Sequence, residues 1–210
     1  MIKLLIADDH VLIREGVKNL ASKEPDLKIV GETSDPLQVL ESAKKLRPDL
    51  IILDISMPGK SGLDVLKELK IFIPEINVLM MSMLPEEQFA KRVLKAGASG
   101  YITKDSSPEE LLLAIRKTAE GRKYISQSFA ENLAGSLDEK SDKPPIELLS
   151  DREFQILKLI ASGNSQTSIS KQLSISISTV NTYRKRILEK LNFSTNAELI
   201  HFAITNKLID

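Results

Sequence analysis

The 210-residue chain has no cysteine, no tryptophan, two histidines and an aromatic content of only 4%. Without cysteine there can be no disulfide framework, thiolate metal site or thiol nucleophile. His10 and His201 stand far apart, which argues against a histidine-rich zinc site. No apolar run approaches the roughly 20 residues that span a bilayer. Asp8 and Asp9 interrupt the N-terminal apolar stretch too early for a signal peptide. No membrane partner is expected, and the expected location is the cytoplasm. Net charge is also absent, with 29 basic and 29 acidic residues. That zero is unevenly built. Residues 1–125 carry 19 of each sign, residues 126–149 carry 2 basic and 5 acidic, and residues 150–210 carry 8 basic and 5 acidic. A basic end on a neutral chain suggests an anionic partner for that end.

The chain does contain alternating short apolar runs and amphipathic stretches. Ile2–Ala7, Lys28–Gly31, Leu50–Leu53, Val78–Met81 and Gly100–Ile102 read as buried strands. Between them, Val11–Leu20, Leu37–Leu46, Leu63–Leu69 and Phe89–Leu94 have helical spacing. Ser107, Pro108 and Glu110 announce a further helix by a capping box. Strands lacking strict alternation and separated by helices predict an α/β unit, a doubly wound five-stranded parallel sheet of order 2-1-3-4-5. A polar stretch with a Pro-Pro pair, residues 136–146, reads as linker. Beyond it, helical segments near 151–162, 166–173, 177–191 and 196–206 predict a small all-α, four-helix unit. The expected division is 1–122, a linker over 123–147, and 148–210.

In open parallel sheets, ligands sit beyond the carboxyl ends of the strands. Asp8 and Asp9 follow the first strand, Asp54 the third, Ser82 the fourth and Lys104 the fifth. Singly, Asp9 reads as a helix cap, Ser82 as loop chemistry and Lys104 as a surface charge. Jointly they gather three carboxylates around one crevice, where mutual repulsion calls for a cation. Mg²⁺, which needs few protein ligands, fits best, and Lys104 with Ser82 suits a phosphoryl oxygen. Gly59 and Gly62 beside Asp54 suit either a loop bent around an ion or an ordinary turn. His10 is expected to help start the first helix rather than bind metal.

MIKLLIADDH, LIILDISMPGKSGLD, VLMMS and GASGYITKDSSPEELLLAI resemble the receiver domain of bacterial response regulators over residues 1–120. The resemblance implies that Asp54 accepts a phosphoryl group from a sensor histidine kinase. It implies that Asp9 binds Mg²⁺ directly and Asp8 through water, with the Ser56 carbonyl completing the set. Lys104 and Ser82 would then grip the phosphoryl group, and Tyr101 would change rotamer as Ser82 moves. The positions two beyond Asp54 and two beyond Ser82 are Ser56 and Leu84; Leu84 cannot orient water, so slow self-dephosphorylation is expected. A phosphatase using Asp54 as nucleophile is the enzymatic rival, disfavoured because Ser56 supplies no general acid.

On a helical wheel through 177–191, Val180, Tyr183, Ile187, Leu188 and Leu191 form one stripe. Ser178, Asn181, Thr182, Lys185 and Glu189 lie opposite, with Arg184 and Arg186 on the flanks. Small polar and cationic groups suit base edges and phosphates in a major groove. The stretch LSDREFQILKLIASGNSQTSISKQLSISISTVNTYRKRILEKLNF resembles the LuxR-type helix-turn-helix domain; joined to a receiver, it implies the NarL/FixJ class. Asn181, Tyr183 and Ile177 depart from residues frequent in that family. In the last helix Leu199, Phe202 and Ala203 suit the core, while Ala197, Ile200 and Ile204 form a second apolar stripe. Periodicity alone suits a wider core contact as well as an exposed face; the resemblance implies that this second stripe pairs two copies. The resulting expectation is a homodimeric transcription regulator whose DNA-reading face is freed by phosphorylation. The remaining alternative is a C-terminal unit that binds protein instead of DNA.

Overall fold

The apolar segments at the centre of the sheet become strands because near-continuous Leu/Ile/Val/Met runs suit burial on both faces, while the segment 27–33, with Lys28 and Glu32, is only partly buried. In the computed structural model these are β1 (Ile2–Ala7), β2 (Leu27–Thr33), β3 (Leu50–Asp54), β4 (Asn77–Ser82) and β5 (Gly100–Thr103). The description covers residues 1–135, 145–173, 175–206 and 208–209. All pairings are parallel and the strand order is β2-β1-β3-β4-β5. Every residue of β3 is buried. Register aligns Ala7 with Leu53, Asp54 with Met81 and Ser82 with Thr103. The carboxyl ends of the four strands β1, β3, β4 and β5 therefore finish side by side.

The connecting helices are α1 (Val11–Ser22), α2 (Val39–Leu46), α3 (Gly62–Phe72), α4 (Glu86–Lys95) and α5 (Pro108–Ala119). Leu4, Ile6, Ile52 and Met81 pack with Val17 and Ala21 of α1 and with Ala114 and Ile115 of α5. The intervening Leu5, Ile51, Leu53 and Met80 are equally buried, as a sheet covered on both sides requires. The predicted start of α2 at Leu37 shifts. Pro36 and the Asp35 side chain, which accepts from the Leu37 amide, turn residues 36–38 into a single 3₁₀ turn. Leu37 is left 72% exposed and α2 begins at Val39.

The stretch expected as linker begins with ordered structure. Tyr124 bridges to Gly100 at the edge of β5, and α6 (Gln127–Gly135) follows with Phe129 buried. A helix of nine residues is too short for hydrophobic periodicity to announce. Residues 136–144 of that expected linker lie outside the described residues.

The chain divides into two units, 1–138 and 139–210. In the second, capping boxes open α7 (Asp151–Ala161) at Ser150/Glu153 and α10 (Asn196–Thr205) at Thr195/Glu198. Between them lie α8 (Gln166–Leu173) and α9 (Ile177–Leu191). Asn192 in the left-handed region ends α9. Leu157, Ile169, Val180, Ile187 and Leu199 form the centre of this unit. Among the described residues no helix is long and apolar enough to cross a membrane.

Candidate functional site

At the carboxyl edge of the sheet, β1 delivers Asp8 and Asp9, β3 delivers Asp54, β4 delivers Ser82 and β5 is followed by Lys104. Asp8, Asp54 and Ser82 are fully buried. The Lys104 ammonium stands 2.8 Å from Asp8 Oδ2 and 2.9 Å from Asp54 Oδ2, and its side chain is only 2% exposed. Its backbone N–H donates to the Ser82 carbonyl at 2.8 Å, which ties the loop after β5 to the end of β4. Asp54 is oriented by its own loop, accepting from the Ser56 N–H at 3.0 Å. That loop presses so close to α3 that a Cβ on Gly62 would lie 1.9 Å from the Asp54 carbonyl oxygen. Gly62 is therefore required by contact, whereas Gly59 is required by its φ of 83°.

The electrostatics are unbalanced. Three carboxylates face one lysine. Burial pushes the Asp54 carboxyl above its ordinary range, only partly offset by hydrogen bonding and attraction to Lys104. For Lys104, burial alone would lower the ammonium, but hydrogen bonds and attraction from Asp8 and Asp54 leave it raised. Asp8 Oδ2 is ion-paired with Lys104, while among the described residues Asp9 Oδ1 has His10 Nδ1 2.8 Å away but no donor in good hydrogen-bond geometry. Excess negative charge with an under-satisfied carboxylate oxygen fits a divalent cation.

His10 is brought further into this site than its sequence position promised. It does sit at the N-cap of α1, but its side chain caps nothing. Instead Nδ1 lies 2.8 Å from Asp9 Oδ1, 3.1 Å from Asp8 Oδ1 and 4.0 Å from Asp54 Oδ2. One ligand atom from each of Asp8, Asp9, His10 and Asp54 falls within 4.8 Å of the others. The hidden signal was local: the His10 N–H donates to Asp8 Oδ1, and that turn swings the ring over the acids.

Tyr101, fully buried, donates its hydroxyl to the Leu84 carbonyl at 2.7 Å. The Leu84 N–H in turn donates to Ser82 Oγ at 3.2 Å. Ser82 and Tyr101 are thus joined through one residue, and the Leu84 side chain is itself buried.

In the second unit, α9 turns Val180, Ile187, Leu188 and Leu191 inward and leaves Tyr183 half-buried. Ser178, Asn181, Thr182, Lys185 and Arg186 are exposed on the other side. Arg184 is half-buried, and its Nε donates to Asn196 Oδ1 at 2.6 Å. It braces α9 against the start of α10 as well as offering charge. Arg186 lies 6.0 Å from the Tyr183 ring centre. On α10, Ala197 is exposed, Ile200 half-buried and Ile204 57% exposed, while Leu199 and Ala203 are buried.

An acid-and-lysine crevice on a doubly wound parallel sheet, in one chain with a helix-turn-helix unit, defines a receiver joined to a DNA-binding output. Residues 4–116 match the model described as response regulator receiver domain, and residues 147–203 that of the bacterial regulatory proteins, luxR family. The chain is 38% identical to the response regulator GacA of Pseudomonas aeruginosa, over 100% of this chain and 99% of that protein. It is 34% identical to the oxygen regulatory protein NreC of Staphylococcus epidermidis, over 99% of each. A solved structure of RcsB from Salmonella enterica serovar Typhimurium, bound to promoter P1flhDC with the phosphomimetic BeF3⁻, aligns at a TM-score of 0.73. That alignment has 25% identity and covers 96% of this chain and 97% of the other. The chain belongs to the NarL/FixJ-type two-component response regulators and is a DNA-binding transcription factor.

Proposed function

We propose that Asp54 is the phosphoacceptor of this regulator and that its phosphorylation by a sensor histidine kinase raises the affinity of α9 for DNA. The observation carrying this reading is the buried Asp54 carboxylate held 2.9 Å from Lys104 among two further acids. An Asp54 oxygen attacks the phosphorus of a phosphohistidine; the P–N bond breaks and its electron pair returns to the departing imidazole. Lys104 holds one phosphoryl oxygen by charge, Ser82 turns its hydroxyl to another, and Tyr101 follows through Leu84. Asp8, Asp9, Asp54 and the Ser56 carbonyl would hold Mg²⁺, which when bound neutralises charge developing on the transferred group. Self-dephosphorylation is slow, because Leu84 offers no group to orient water.

Ser178, Asn181 and Thr182 face the base edges of the major groove, with Arg184, Lys185 and Arg186 toward phosphates. Asn181 is suited to adenine. Ala197, Ile200 and Ile204 of α10 pair two copies on a two-fold DNA site, consistent with a solved structure of two RcsB dimers bound to two parallel DNAs. The protein acts in the cytoplasm, where its kinase and DNA are accessible.

The test is a gel shift on duplexes selected from a random pool, comparing wild type with Asp54→Asn, each with and without beryllofluoride. Wild type with the phosphoryl mimic should bind at least tenfold more tightly than the other three. Equal binding in all four would reject the switch while leaving DNA binding intact.

A further inference from the structure

The chain does not leave the receiver at the end of α5. It turns at Gly121 (φ 76°), lays Tyr124 against the free edge of β5 and runs on into the first turn of α6. The Tyr124 N–H donates to the Ser99 carbonyl at 3.0 Å, and the Tyr101 N–H donates to the Tyr124 carbonyl at 3.1 Å. The fit is flush: a Cβ on Gly100 would lie 2.8 Å from the Tyr124 oxygen. Two residues on, the Ser126 N–H donates to Oε1 of Glu86 at 2.8 Å. Glu86 opens α4 and is only 9% exposed. Ser126 Oγ then accepts from the Phe129 N–H, and the buried Phe129 anchors the first turn of α6.

Both attachments belong to the segment that carries Ser82. Tyr101, whose N–H holds Tyr124, gives its hydroxyl to Leu84, and Leu84 holds Ser82 Oγ. Glu86, which holds Ser126, lies two residues beyond Leu84. The bonds close a ring running through residues 82, 84, 86, 126, 124 and 101. Movement of Ser82 cannot leave the ring unchanged, since residues 82–86 are one short covalent stretch.

We propose that residues 123–129 form a strap latched to the receiver by Glu86, and that withdrawal of Ser82 toward phosphorylated Asp54 releases the latch and frees α6. This rests on the phosphoacceptor reading for its trigger, but the latch itself does not. A carboxylate accepting a part-buried backbone N–H is a charge-assisted bond, strong enough for its loss to be read as local opening. The competing account is a permanent cover for the β5 edge, which would stay closed in every state.

The experiment is site-resolved amide exchange on the full chain: wild type, Glu86→Ala and Glu86→Gln, with and without Mg²⁺ and beryllofluoride. Without the mimic, Glu86→Ala should exchange at Ser126 and Phe129 about tenfold faster than wild type. Glu86→Gln, which keeps an accepting oxygen but not the charge, should fall between wild type and Glu86→Ala. The mimic should accelerate the same amides in wild type and add little in Glu86→Ala. Protection at Ser126 within twofold of wild type in Glu86→Ala overturns the latch. If the mimic changes Leu84 exchange but not that of Ser126, the strap is a static cover and the coupling is wrong, while the phosphoacceptor reading stands. If neither amide responds to the mimic, the trigger is lost with that reading, and Glu86→Ala alone decides the latch. Should Glu86→Ala also loosen the β1 and β3 amides, Ser126→Pro, which removes the donor without touching α4, supplies the same comparison at Ala130, whose N–H donates to the Ser126 carbonyl that proline retains.

Discussion

The two units place their chemistry on opposite sides of the solvent boundary. In the first, Asp8, Asp54 and the Lys104 side chain are almost wholly removed from water, so each charge depends on its neighbours. In the second, Asn181, Thr182 and Lys185 are exposed and depend on each other little. A buried cluster concentrates function in a few residues whose loss is severe, because the partners left behind are stranded in a poor solvent for charge. An exposed face spreads function over many residues, each contributing a small amount that salt can screen. A switch requires the first arrangement, since a single new phosphate must outweigh the rest of the equilibrium; reversing a 1:99 ratio takes about 5.5 kcal/mol. A reader of DNA benefits from the second.

The sharpest way to break this contrast is at Lys104. Lys104→Met should leave Asp8 and Asp54 facing each other without a cation. In chelator, stability should fall by about 3 kcal/mol, and a divalent cation should restore much of it by replacing the lost charge. Denaturant unfolding with and without Mg²⁺ measures both effects. A loss below about 1 kcal/mol in chelator would mean that the acids are already relieved by water or by protonation, and that burial is not what concentrates their effect.

The second unit contains its own exception, Glu153, and it sharpens the comparison. Its carboxylate is 3% exposed, accepts from the Ser150 N–H and hydroxyl, and meets Lys190 of α9 at 2.6 Å. Burial pushes its pKa upward, but Lys190 and the Ser150 bonds outweigh that and hold it below the ordinary 4.5. A depressed folded pKa stabilises the fold above 4.5, and that contribution is lost as pH falls through the lowered folded value. Glu153→Gln should therefore cost about 2 kcal/mol at neutral pH. The gap to wild type should narrow as the medium is acidified below pH 4.5, as read by amide exchange in α7 and α9. A gap independent of pH would assign the effect to shape instead of charge.

The same boundary decides what could be read from sequence. Asp8, Asp54, Ser82 and Lys104 were legible because each ends an apolar run, and strand ends in a parallel sheet converge. The face of α9 was legible because burial of Val180 and Ile187 fixes the rotation of a helix about its axis. The His10 ring was not, since a two-residue turn and not any periodicity aims it at Asp9. Nor was α6, which relies on Phe129 and on one bond to Glu86, 40 residues earlier in the chain. Leu37 escaped the helical pattern because Pro36 and Asp35 impose a local turn that apolar spacing does not register. Arg184 had the sequence of a phosphate contact but also serves as a brace to Asn196, and only tertiary placement reveals that second partner.

The smallest expected effect lies on the exposed face. Lys185 is 80% exposed and, among the described residues, pairs at 3.8 Å with Glu189, itself 62% exposed. An exposed i,i+4 pair of this kind contributes little to the fold, so Lys185→Ala should leave unfolding within about 0.5 kcal/mol of wild type. On the proposed DNA-facing reading of α9, its effect is expected on DNA binding. Removing one phosphate-directed charge should weaken binding by about 1 kcal/mol and reduce the salt slope of log K by about 0.9, nearly equally across duplex sequences. Glu189→Gln supplies the counterpart: relieving the lysine of its neighbour should strengthen binding slightly at low salt and hardly at all at high salt. A Lys185→Ala effect confined to one base position would transfer Lys185 from phosphate to base contact. A loss of several kcal/mol in folding would place it in the same buried regime as Lys104 and erase the distinction between the two units.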